Sequence, residues 1–287
     1  EFGQDEGGVQ KEFFQILVKE LFKPEFTMFD YLKESKFVWF NGNTFESNIK
    51  FELIGVLMGL AIYNQIILDI HFPRACYKKL LDIEPNLEDL KQLSPSMGQS
   101  LQYILDSDSP TLEQDLYMSF VYEYEVFGEN KFEELKENGS QIYVNQDNKH
   151  EYVQLLIDFI FNKSIKDQFA SFYKGFHKAC GGDALTLFRP EELEGLICGC
   201  KTLDFAAMKR ETRYDGYEGS EDVIKWFWEI LLEEFTYEQQ KKFLSFSTGC
   251  DKAPVLGLES IMFVIMKHGE GDEKLPCAQT CFNLLLL

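Results

Sequence analysis

The chain has 287 residues, 45% of them hydrophobic and 15% aromatic, including 27 Phe; that is enough apolar surface for a packed core and argues against a disordered chain. With 48 acidic against 28 basic residues the formal charge is −20, which disfavours nucleic acid and anionic membrane surfaces, because affinity for both comes from Lys and Arg. Such acidity serves solubility, or it meets a partner with a basic face. The seven cysteines (Cys76, Cys180, Cys198, Cys200, Cys250, Cys277 and Cys281) are scattered and odd in number. With no dense cysteine framework and no secretory segment, a reducing compartment, cytosol or nucleus, is expected.

The first 200 residues read mostly as helix. GGVQKEFFQILVKELF places Val9, Phe13, Ile16, Leu17 and Leu21 on one face. A second helix is predicted over 51–69. It is apolar on nearly all sides, but Glu52, Asn64, Gln65 and Asp69 interrupt it, so it reads as the central helix of a large domain rather than a membrane span. Its Gly55 and Gly59 imply close approach of a neighbouring helix backbone. RACYKKLLD (74–82) is a further helix.

Near residue 90 the texture changes. SPSMGQSLQYILD sets Met97, Leu101 and Ile104 at i, i+4 and i+7, an amphipathic helix with an adaptable Met at one end. Tyr122-Glu123-Tyr124-Glu125-Val126 alternates as a half-buried strand, and Asn138-Gly139 reads as a hairpin-type turn. The stretch from about 91 to 150 is thus a small subdomain inserted into a helical body. Two long helices follow, the second stopped by Gly181-Gly182. Another starts at Pro190 and ends at Gly199. Beyond CGCK, short strands and three helices make a compact second domain, 202–287, closing on CFNLLLL.

Cys277 and Cys281 stand four apart in LPCAQTCFNLLLL, a spacing that on a helix would face two metal ligands together. Pro276 and the strand-like run after them argue against that helix, and no further ligands cluster nearby, so no metal site and no cofactor are expected. Cys281 lies where a Pro-bearing loop enters a buried strand, a rim that a partner can approach. Read from the residues alone, it is a nucleophile or a half-buried structural thiol with equal justification. A cysteine hydrolase would require a base such as His177 or His268, and no motif links either to it. Thioester exchange requires no triad, because the leaving group is another thiolate.

LPCAQTCFNLLLL resembles the catalytic signature of the HECT-type ubiquitin ligases, a Thr-Cys-Phe-Asn core after Leu-Pro. GGVQKEFF, GLAIYNQIILDIHFP, YKKLL, LKENG, FNKSI, FYKGFH, FRPEELEGLICG, Tyr214-Asp215-Gly216, FWEI and FSTGCDKAPVLGL also stand in family order, so the resemblance spans essentially the whole chain. Within the family it is nearer the Angelman-syndrome and condensation-regulator-repeat ligases than the WW-domain ligases.

The resemblance implies a bilobal α+β fold. A mainly helical N-lobe (1–198) would carry the small α/β subdomain (about 91–150), a hinge of Gly199, Cys200 and Lys201 would follow, and a compact α/β C-lobe (202–287) would hold the nucleophile. It implies that Cys281 accepts ubiquitin from a conjugating enzyme and passes it to a lysine of a protein substrate. Gln279, Thr280, Phe282 and Asn283 would support the catalytic loop. Met97, Leu101, Ile104, Met118 and Tyr152 would line the conjugating-enzyme groove, and the hinge would let the C-lobe rotate between donor and acceptor.

Two departures stand out: Gln279 where many members have His, and Ser107 where near relatives have an aromatic. The family also continues past the final leucines into a tail with an aromatic, and begins earlier, so the chain is expected to be part of a longer protein. A binding module that docks a conjugating enzyme without transfer is the alternative of a different class.

Overall fold

A computed structural model describes residues 8–126, 128–200, 202–219, 221–269 and 274–287; the side chains of Val9, Lys11, Glu12 and Cys281 lie outside that description, as do Phe127 and Lys201 entirely. The chain opens with α1 (Gly8–Leu21), the antiparallel ribbon β1 (Phe29–Tyr31) and β2 (Val38–Phe40), and α2 (Asn48–Tyr63). Then come α3 (Arg74–Leu80), α4 (Leu87–Leu93), α5 (Pro95–Asp106) and α6 (Leu112–Leu116). The hairpin β3 (Val121–Val126) and β4 (Glu129–Glu134) leads to α7 (Lys149–Asp158), α8 (Lys166–Ala179) and α9 (Pro190–Cys198). The last part runs α10 (Phe205–Glu211), β5 (Arg213–Asp215), α11 (Asp222–Glu229), α12 (Tyr237–Thr248), β6 (Val264–Met266), β7 (Cys277–Gln279) and β8 (Leu284–Leu286). This mixture of helix and sheet is the α+β class expected.

The chain forms two compact units. A helical unit holds Phe22–Gly59 and His71–Pro190; a C-terminal unit holds α1, Leu60–Ile70 and Glu191–Leu287.

The helical unit is built on phenylalanine. Phe40 stacks on Phe72 with ring centroids 5.5 Å apart, and Phe29, Phe51, Phe169 and Phe172 pack edge-on or tilted around that pair. Each buried ring contributes on the order of 2–3 kcal/mol by leaving water. Glycines let α2 cross α8 at backbone contact. A Cβ at Gly55 would overlap the Phe172 carbonyl, one at Gly175 would overlap that of Glu52, and one at Gly59 would stand 2.7 Å from Ala179 Cβ. This is the close approach that Gly55 and Gly59 implied.

The long helix is shorter than its periodicity suggested. α2 stops at Tyr63 because Gln65 turns left-handed (φ 55°), while Asn64 donates from its side chain to the Leu60 carbonyl at 2.8 Å. Nor is it buried all round: Phe51, Ile54, Met58 and Ala61 are buried, whereas Ile49, Leu53, Leu60 and Tyr63 are exposed. Asn138 does adopt the left-handed turn (φ 54°), and Gly139 sits against the Phe120 carbonyl, but the β3–β4 ladder closes earlier, with Val126 paired to Glu129. Asn138-Gly139 instead returns the chain so that Ser119 bridges Tyr143.

In the C-terminal unit the sheet order is β5-β6-β8-β7, with the first three strands parallel and β7 antiparallel to β8. Trp228, Leu244, Phe263, Ile265 and Leu285 fill its core, and Trp228 Nε1 donates to the Tyr214 hydroxyl at 2.9 Å.

Gly55→Ala or Gly175→Ala forces the α2–α8 crossing apart. Each is expected to destabilise the protein by about 1–3 kcal/mol, as overpacking does, read as a lowered Tm in thermal melting. An unchanged Tm would contradict the close crossing.

Candidate functional site

The Thr-Cys-Phe-Asn core is a tight connection between antiparallel strands. Gln279 of β7 pairs with Leu284 of β8, and Thr280–Phe282 form one 3-10 turn between them. Cys281 therefore sits at the tip of a β-hairpin and not on a helix with Cys277. The turn closes on Asn283, which is left-handed (φ 48°), a conformation that Asn tolerates far better than branched residues. Its side-chain Nδ2 donates to the Ile261 carbonyl at 2.8 Å, and its own carbonyl accepts from Val264 N–H at 3.1 Å. The entry to β6 thus holds the exit of the turn in place. β8 then plunges inward with Leu284 and Leu285 buried.

Around the tip, Gln279 is exposed, Thr280 is half-buried and Phe282 is 47% exposed. Sequence reasoning assigned no role to the residues behind the turn. α1 lies against it, Gln15 Nε2 donates to the Gly249 carbonyl at 2.5 Å, and a Cβ at Gly249 would stand 3.6 Å from Thr280 Cβ. The motifs GGVQKEFF and FSTGCDKAPVLGL contain these residues, but nothing in their spacing announces the contact.

Cys76 and Cys198 are buried, and burial pushes the Cys180 and Cys250 thiols up. Cys277 is exposed on β7. Of the two candidate bases, His268 lies in the same unit as Cys281, away from the turn along the sheet. His268 N–H donates to the Leu287 carbonyl, at the far end of β8 from Cys281. Four residue steps lead from Asn283 to Leu287, roughly 13 Å at strand rise. In the helical unit, His177 Nε2 lies 3.0 Å from the Leu80 carbonyl and its ring stacks on Tyr173.

The proposed hinge residues are only partly free. Gly199 is left-handed (φ 70°), and Cys200 forms a two-bond bridge with Ala253, its N–H donating at 2.7 Å and its carbonyl accepting at 3.1 Å. Lys201 lies outside the described residues.

In the helical unit, Met97, Leu101, Ile104, Met118 and Tyr152 come together to line one groove of about 780 Å³. Leu101, Ile104 and Tyr152 are each only 3% exposed and form its floor, while Met97 and Met118 are half-buried on its sides. Burial, with Tyr122 adding to it, pushes the Tyr152 phenol up to about 12. The rim includes residues that the sequence reading passed over. Tyr103 is one of them and is 69% exposed; Tyr117, next to Met118 in sequence but outside the lining, is 77% exposed and packs on Tyr143. A buried lysine fixes the two helices that build the floor: Lys149 Nζ, at the start of α7, donates to the Leu105 and Ser107 carbonyls at 2.9 and 2.7 Å, at the negative end of α5. Gln146 Nε2 donates to Ser107 and Ser109 carbonyls beside it. Ser107 thus serves through its backbone.

Among the described residues no group of three or more His, Cys, Asp or Glu could hold a metal ion, and no helix is long and apolar enough to cross a membrane.

Residues 15–287 match the family model described as "HECT-domain (ubiquitin-transferase)". The chain is 45% identical, over 98% of its length, to the human protein named "Probable E3 ubiquitin-protein ligase HERC4", of which it covers 27%. It is 44% identical over its whole length to the human "Probable E3 ubiquitin-protein ligase HECTD2", covering 38% of that protein. To "Probable E3 ubiquitin-protein ligase HUL4" of Eremothecium gossypii it is 38% identical over 99% of its length, covering 36%. The chain therefore spans between about a quarter and two-fifths of these relatives, and it belongs to the HECT-domain (ubiquitin-transferase) family.

Proposed function

We propose that the protein is an E3 ubiquitin ligase that carries ubiquitin as a thioester on Cys281 and passes it to a lysine of a substrate protein. The observation that carries this reading is the anchored hairpin turn. It sets Cys281 at a tip flanked by exposed Gln279 and Phe282, with Asn283 tied to the Ile261 carbonyl.

In the first step the Cys281 thiolate attacks the carbonyl carbon of a ubiquitin thioester on the conjugating enzyme. A new C–S bond forms, the old one breaks, and the conjugating enzyme's cysteine leaves as thiolate. The two sulfurs are of similar basicity, so the exchange is close to thermoneutral and requires no triad. In the second step an unprotonated substrate lysine attacks the same carbonyl. A C–N bond forms, the Cys281 thiolate leaves, and the proton released by the amine passes to solvent. Gln279, exposed at the end of β7, hydrogen-bonds the arriving ubiquitin tail in this reading.

The conjugating enzyme docks, in this reading, on the groove of the helical unit. Its floor is too buried to supply most of the contact area, so the binding energy falls on Tyr103, Tyr117 and the edges of Met97 and Met118. Large amphipathic rings and flexible thioethers suit that work.

With activating enzyme, conjugating enzyme, ATP and ubiquitin, wild-type protein is expected to form a reductant-sensitive ubiquitin adduct on a non-reducing gel. Cys281→Ala is expected to abolish it and Cys277→Ala to leave it intact; the reverse pattern would refute the assignment. Tyr103→Ala and Tyr117→Ala are expected to weaken conjugating-enzyme binding by about 1–3 kcal/mol each with Tm unchanged. Leu101→Ala and Ile104→Ala are expected to lower Tm together with binding, at about 2–5 kcal/mol of stability for a buried site. Binding losses confined to the floor variants would show that the groove is core and not a docking surface.

A further inference from the structure

We propose that the outer face of α11 is a docking surface for a basic amphipathic helical segment of a partner protein. The surface shares no residue with the Cys281 turn or with the groove, and the proposal does not depend on the ubiquitin chemistry.

SEDVIKWFWEILLEEF reads as one helix buried on one side, and Ile224, Trp228 and Leu231 do enter the core. Its other side is also apolar. Val223, Trp226 and Ile230 stand exposed at i, i+3 and i+7, with Trp226 60% exposed. That spacing makes one continuous stripe along a helix face. A tryptophan left in water forgoes the burial of roughly 150–250 Å² that makes aromatic rings dominate interfaces.

Carboxylates frame the stripe. Asp222, Glu229 and Glu233 follow one flank at helical spacing, and Glu234 closes the end; all four are exposed. Lys225 is the one base between 221 and 234 and pairs with Asp222 at 3.0 Å. At the acidic end the helix continues as a π-turn over Ile230–Glu234, closed by Phe235 N–H donating to the Ile230 carbonyl at 2.9 Å. Such turns are frequent at functional sites.

The charge pattern selects the occupant. A second copy of this chain would set two carboxylate frames face to face, each on a molecule of formal charge −20, and like charges across an interface oppose association. An anionic lipid surface is repelled for the same reason. An uncharged apolar segment would cover Trp226 while stripping water from unpaired carboxylates. A helix with an apolar stripe flanked by Lys and Arg satisfies both features, burying the rings and pairing the frame.

The test uses the whole 287-residue chain and a fluorescein-labelled peptide of Leu and Lys at amphipathic helical spacing, read by anisotropy at physiological salt. Binding is expected, with a shift of tryptophan emission to shorter wavelength. Trp226→Ala and the double variant Glu229→Lys/Glu233→Lys are each expected to weaken it at least about tenfold, as loss of a central anchor does, with the melting curve unchanged. The control Glu137→Lys/Asp147→Lys alters net charge equally at exposed sites on the helical unit and is expected to change affinity less than about twofold, since screened surface charges act locally. Four results would each overturn the proposal. They are absent binding, equal weakening by both charge reversals, equal binding of a Leu and Glu peptide of the same spacing, or a Trp226-dependent dimer that forms without peptide.

Discussion

The site depends on one side chain that anchors a left-handed turn to the neighbouring segment. Asn283 takes a left-handed conformation, and its amide donates to the Ile261 carbonyl at 2.8 Å. Left-handed backbone is disfavoured for most L-residues by about 1–2 kcal/mol, and Asn offsets this with a hydrogen bond that a glycine could not make. Because β6 and β8 are parallel neighbours, that bond ties the end of the turn to the 3-10 segment Leu258–Ile261 that leads into β6. The hairpin partner β7, the buried Leu284 and Leu285, and α1 behind the tip fix the remaining sides. A nucleophile at the end of such a turn is presented to a partner without being free to wander, which lowers the ordering cost of bringing two sulfurs together.

The groove obeys a different logic. Leu101, Ile104 and Tyr152 are buried core residues, so in the proposed docking their contribution is the shape they hold. Lys149 keeps that shape by donating two hydrogen bonds to carbonyls at the end of α5. A buried ammonium is costly unless its protons are used, and here the helix end supplies acceptors that lack intrahelical partners. The apparent binding motif and the structural core are therefore the same residues seen from two sides. The exposed tyrosines divide the two roles.

Much of this was legible in the sequence. Gly55 and Gly59 announced a close helix crossing, the i, i+4, i+7 pattern of Met97, Leu101 and Ile104 announced α5, and Pro276 with the leucine run argued correctly against a helix joining Cys277 and Cys281. Other features depended on tertiary context. α2 ends at Tyr63 although apolar residues continue, because Gln65 turns the chain left-handed, a choice with no hydropathy signal. Asn138-Gly139 does turn, but periodicity could not say which strands it would join. Spacing could not place His268, whereas strand register sets it at the opposite end of β8 from Cys281. Gln15 at the back of the turn is invisible in one dimension, since 234 residues separate it from Gly249.

The central claim is that the Asn283 anchor presents Cys281 for thioester exchange, and it is tested most directly by the rate at which ubiquitin loads onto Cys281 in Asn283→Ala and Asn283→Gly. Single-turnover loading from a saturating charged conjugating enzyme separates this step from docking. Both variants lose the bond to the Ile261 carbonyl, and only glycine keeps the left-handed backbone free of strain. The account predicts that both load at least about tenfold more slowly than wild type, by loss of near-attack geometry, with Ala the slower of the two and conjugating-enzyme affinity unchanged. Wild-type loading rates in both variants would contradict it.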